Sequence, residues 1–175
     1  MIQPEELSPA TPVAHLVLRV LIVLNWLYCA VILGLLFVAP NEEWILASFN
    51  LAPSADADRL VLGMRMIAAL GLVTITPNFL ILKRLLAIVD TVRAGGAFVA
   101  ANALRLRVIA WMLFLLQIIS ILVGIIAKTI STPAHSLHID AGFSLSGWLG
   151  VLLMFVLARV FAEGTHKRKD LEWTV

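Results

Sequence analysis

Four apolar blocks, at about residues 16–38, 60–82, 108–127 and 145–161, limit what this chain can fold into more than any other feature. A hydrocarbon core about 30 Å thick is crossed by roughly 20 helical residues, so runs of this length read as membrane spans. Inside lipid every backbone polar group needs a partner within the protein, which leaves helices or a closed barrel; unbroken apolar runs belong to helices. Hydrophobic residues make up 61% of the 175 and charged residues 14%, against roughly 45–50% and 25% in a soluble domain, which could not hide that surplus. The expectation is one compact all-α integral membrane domain over residues 1–175. Helical extensions of spans 2, 3 and 4 continue beyond the membrane.

Orientation follows from where Lys and Arg fall. The inner loop, 83–107, carries Lys83, Arg84, Arg93, Arg105 and Arg107, and the tail from Arg159 adds Lys167, Arg168 and Lys169. From Pro40 to Asp58 there is no Lys or Arg, and the second outer loop holds Lys128 alone. The positive-inside rule then assigns both termini, the inner loop and the tail 162–175 to the cytoplasm, and 39–59 and 128–144 to the outside. A first stretch with Glu5, Glu6 and three prolines is not a basic leader, so a short disordered arm is expected there. The net charge of +2 comes from span ends; it suits lipid headgroups, not a nucleic-acid surface.

Polar residues inside the spans are few. Asn25 is expected to hydrogen-bond a neighbouring helix, with a ligand contact as the alternative. Arg65 lies only about 8 Å along its helix from Leu60 and can snorkel outward, pair with an outer carboxylate or face a polar cavity. Pro77, followed by Asn78, predicts a kink that frees a carbonyl near Val73. Gly95 and Gly96 stop the second helix and the third begins near Val99. Asn102 and Arg105 share one face of it, Leu104, Val108 and Trp111 another, and Gln117 with Ser120 suggests a further helix-to-helix hydrogen bond. Gly63, Gly71, Gly124 and Gly150 are expected to permit close helix packing. In the second outer loop Leu137, Ile139, Ala141, Phe143 and Leu145 alternate with small or polar residues, a period-two pattern that predicts an extended segment pairing with itself or with Ala47–Leu51.

Chemistry is sparse. His135, His138 and Asp140 have the donor types for a divalent ion, but alternation places them in extended, exposed loop. His15 and His166 lie on the same side, yet a bis-histidine haem needs both facing at matched depth, and no cofactor is expected. The single Cys29 allows no internal disulfide. No Ser/His/Asp set, phosphate-binding glycine loop or paired intramembrane carboxylates occurs, so no enzyme is expected. A small transporter or lipid-binding protein with a cavity around Asn25, Arg65, Asn78 and Gln117 is one functional reading.

The segment GGAF with Asn102, Arg105–Arg107 and Trp111, taken with VLARVFAEGTHKRKDLEWTV, resembles the bacterial membrane family catalogued as domain of unknown function 2975. Gly95, Phe98, Asn102, Arg105, Trp111, Phe161, Gly164, Asp170, Leu171, Glu172 and Val175 stand at the family's positions, whereas Ala97 replaces a proline and Trp173 a glycine. The resemblance implies four spans and a bacterial inner membrane. It names no substrate. Such proteins are often encoded beside a small Cro/C1-type helix-turn-helix regulator, which implies a regulatory or sensory membrane partner of a transcription factor. The expected cytoplasmic contact face is Arg93, Asn102, Arg105 and Arg107 with Lys167, Arg168, Asp170 and Glu172. The competing account is that these residues set topology and attract anionic lipid, with Arg105 paired to Asp170 or Glu172. Homo-oligomerisation through apolar faces is also open.

Overall fold

The computed structural model describes residues 10–38, 55–96, 99–131 and 142–172, with side chains at 12–37, 58–96, 99–131 and 142–165. They form four helices: α1 (Ala10–Val38), α2 (Ala55–Arg93), α3 (Ala100–Ile130) and α4 (Leu145–Glu172). Each contains a segment long and apolar enough to cross a membrane. No strand occurs among the described residues. The expected pairing of 137–145 with itself or with 47–51 lies mostly outside them, as do the side chains of His135, His138 and Asp140.

Helix limits exceed the expected spans. α1 begins at Ala10, not near Leu16, because Pro12 falls in its first turn, where a missing N–H costs nothing. Residues 55–59, expected as outer loop, already belong to α2. The chain is helical through Pro77, which is buried inside α2. Beside it, the Asn25 side-chain amide donates to the Ile75 carbonyl at 3.3 Å, so Asn25 joins α1 to α2 as expected. Thr74 donates to the Gly71 carbonyl at 2.6 Å. Trp26 of α1 packs edge-on to Phe79, with ring centroids 5.8 Å apart.

The helices pack in chain order, α1 on α2, α2 on α3 and α3 on α4; among the described residues no other pair packs together. The domain is therefore an open row and not the compact bundle the composition suggested. The reason is that lipid is as apolar as leucine, so nothing drives outer faces to close on one another. Close approach is concentrated where small residues permit it. A Cβ at Gly63 would collide with Ile130, and one at Gly71 would meet Ile32 at 3.2 Å; Gly150, by contrast, has open space. The best-buried cluster, Leu106, Ile109 and Ala158, packs with Ile81, Leu85 and Phe161 at one end of the row.

Candidate functional site

That end also carries most of the basic residues. α2 stops in a Schellman turn: Gly96 N–H donates to Thr91 C=O and Gly95 N–H to Val92 C=O, both at 3.0 Å. Gly95 takes φ +80°, the left-handed conformation that glycine adopts without steric cost. Asn102 N–H then bonds the Val99 carbonyl at 2.9 Å as α3 begins. α2 and α3 thus pack as a helical hairpin.

A small polar network locks the hairpin. Arg105 Nη1 lies 2.9 Å from the Ala87 carbonyl, 2.5 Å from Thr91 Oγ1 and 2.8 Å from Asn102 Oδ1. Two hydrogens on Nη1 are shared among three acceptors. The Thr91 hydroxyl donates to Ala87 C=O at 2.6 Å, which leaves its lone pairs for Arg105. Asn102 Nδ2 makes a longer 3.5 Å contact to Gly96 C=O. Arg105 therefore brings its charge to the negative end of the α2 dipole, and each charge-assisted bond contributes about 1.5–3 kcal/mol.

Burial divides the expected contact face. Asn102 is 0% exposed and Arg105 is half-buried, so the first has no surface for a partner and the second spends its guanidinium on α2. That corrects their placement on a docking surface: their shared face meets α2, not solvent. Arg93 and Arg107 are exposed. The side chains of Lys167, Arg168, Asp170 and Glu172 lie outside those described, and with them the suggested pairing of Arg105 to the tail; the α4 backbone runs to Glu172 at this same end.

The four intramembrane polar residues do not converge. Asn25 serves the α1–α2 contact, Asn78 is half-buried in α2 and Arg65 is exposed on α2. Gln117 lies in the α3–α4 contact, where a Cβ on Gly147 would collide with its amide. Since α1 and α3 do not pack together among the described residues, no shared cavity links Asn25 to Gln117. Ser120 is the residue of its pair that bonds, its hydroxyl exchanging hydrogen bonds with Gly142 N–H at 3.2 Å and C=O at 3.3 Å. His15 Nε2 sits 3.5 Å from Asp90 Oδ1, tying α1 to α2. It does not face α4, whose His166 side chain is not described. No cluster of metal-ligating side chains occurs among the described residues.

Two features escaped the sequence reading. An aromatic series follows the α3–α4 seam: Phe155 to Trp111, Trp111 to Phe114 and Phe114 to Trp148, with centroids 5.5–5.8 Å apart and edge-on. The signal available was the i, i+3 and i, i+7 spacing of these rings. At its arginine-bearing end the seam opens into a groove of about 490 Å³, with small alanines (Ala103, Ala158, Ala162), apolar walls (Leu104, Phe155) and two guanidinium groups, Arg107 and Arg159.

Four apolar helices in series, with a basic hydrogen-bonded hairpin at one end, define a multi-pass membrane protein. The chain belongs to the family described as protein of unknown function DUF2975, whose family model matches residues 3–175. No functionally curated protein and no solved structure matches it.

Proposed function

We propose that this is a non-enzymatic regulatory membrane protein whose arginine-bearing end faces the cytoplasm of a bacterial cell and captures a small helix-turn-helix regulator. The observation that supports this reading is the division of labour in the hairpin. Asn102 and Arg105 hold α2 and α3 together, while Arg93 and Arg107 remain exposed on that fixed support. A backbone held in place beneath the cationic tip loses little loop entropy when an acidic surface docks. The sequence of the adjoining tail supplies Lys167, Arg168, Asp170 and Glu172, charges of both signs that suit selection of one partner.

The test is affinity capture from native membranes in mild detergent, comparing the full chain with Arg93→Glu and with a chain lacking residues 165–175. Recovery of a helix-turn-helix protein by the full chain alone supports the reading. Equal recovery by all three forms refutes the proposed surface, and recovery of no such protein refutes the function.

A further inference from the structure

We infer that the groove between α3 and α4 is a binding site for an anionic phospholipid, whose phosphate is held between Arg107 and Arg159 while its acyl chains lie along Phe155 and Trp111. The site shares Arg107 with the contact face proposed above, but it rests on the groove and is read by retained lipid, which a failure of partner capture leaves untouched. The first support is depth. Between Arg107 and Lys128, α3 has about 20 residues free of charge, roughly 30 Å of helix, which matches the hydrocarbon core. Arg107 therefore stands where hydrocarbon gives way to headgroups. Arg159 lies on the antiparallel neighbour at the same groove, about 21 Å along α4 from Leu145, and its long stem reaches the same boundary by snorkelling. Beside them Trp111, 54% exposed, packs edge-on to Phe155 with centroids 5.5 Å apart, at the depth where tryptophan is enriched in membranes.

The donor set suits a phosphodiester. Arg107 has no side-chain partner among the described residues. Arg159 Nε donates to Glu163 Oε1 at 3.0 Å, and both groups are largely exposed, at 83% and 64%. The two Nη nitrogens of Arg159 remain for a ligand, and planar guanidinium forks match phosphate oxygens. Two positive charges and the Glu163 carboxylate leave one net positive charge at the groove, complementary to a singly charged phosphodiester. The walls decide between a lipid and a free anion. Phe155 lines the groove about 6 Å on the hydrocarbon side of Arg159, and the exposed Trp111 packed on it lies as far on that side of Arg107; a soluble phosphate would leave both uncovered, whereas acyl chains cover them. Paired basic groups between membrane helices are a known headgroup-binding arrangement.

The experiment exposes the purified full chain to equal amounts of phosphatidylglycerol and phosphatidylethanolamine and reads retained lipid by native mass spectrometry. Phosphatidylglycerol should be the enriched adduct, and Arg107→Gln or Arg159→Gln should each reduce it roughly fivefold, the factor expected of one near-surface cation. Glu163→Gln should increase it, because a competing carboxylate is gone. Arg84→Gln, an exposed change on α2 outside the groove, should leave it unchanged. Equal retention by all variants, or an equal loss in Arg84→Gln, would assign the lipid to general surface charge and overturn the site. Displacement by glycerol phosphate as effective as by phosphatidylglycerol would remove any role for the walls and overturn it too. Glu163→Gln changes only a solvent-facing i, i+4 pair, so its opposite sign keeps the test decisive where an arginine variant fails to fold.

Discussion

Asn102 and Arg105 were visible in the sequence as a pair three residues apart on one helical face, and the same spacing could not say what that face meets. The partners of Arg105 on α2, Ala87 and Thr91, are 14 to 18 residues away along the chain, beyond the reach of helical periodicity. Polar residues near a helix start read as surface by default; here the end of α2 covers them. Asn102→Ala should lower stability by about 1–3 kcal/mol, the cost of leaving buried partners unsatisfied, measured from unfolding in mixed micelles. Arg105→Gln should cost more than Arg107→Gln in the same assay, because only the former guanidinium is bonded to α2. A larger loss for Arg107→Gln would mean that the network does not hold the hairpin.

At the scale of elements, the stops were more legible than the contacts. The Gly95–Gly96 pair announced the end of α2, and its Schellman turn follows because only glycine adopts φ +80° without penalty. Gly95→Ala should therefore cost about 1–2 kcal/mol. Gly96→Ala should cost less, since a Cβ there meets Val99 only at 3.4 Å. Thermal unfolding of the two variants side by side checks the order. Glycines that let helices approach were harder to choose among: Gly63 and Gly71 do so, Gly150 does not, and Gly147 was overlooked at the start of α4. Composition treats all four alike, whereas the contact depends on which faces the neighbour. Gly147→Ala must displace Gln117 and should loosen α3 from α4; Gly150→Ala, with open space for its Cβ, should raise stability by up to about 1 kcal/mol, the helix-propensity gain of alanine over glycine, again by thermal unfolding.

Over the whole molecule, span number was plain from length and hydropathy, but the open row was not. Apolar faces that meet lipid and apolar faces that meet another helix have the same composition, so periodicity cannot assign them. Charge distribution gives orientation a sharper handle. Arg59, Arg65 and Lys128 lie towards one end of the row, and the remaining Lys and Arg towards the other. With Cys29 replaced by Ala, an impermeant thiol reagent applied to sealed bacterial cells should label Lys128→Cys and spare Arg93→Cys. The reverse pattern would invert the proposed topology.

A row in which, among the described residues, every helix packs only on its neighbours in sequence needs no late closure. Its contacts can form in the order of synthesis: α1 is already present when α2 arrives, and the Asn25–Ile75 and His15–Asp90 links form before α3 exists. Ending the chain after Ile130 removes the α3–α4 contact and leaves the contacts among the first three helices in place, so these should keep their mutual arrangement. A disulfide between His15→Cys and Asp90→Cys, formed as readily in that shortened chain as in the full one, would show assembly by successive addition; its loss would mean that α4 acts at a distance on helices it does not touch.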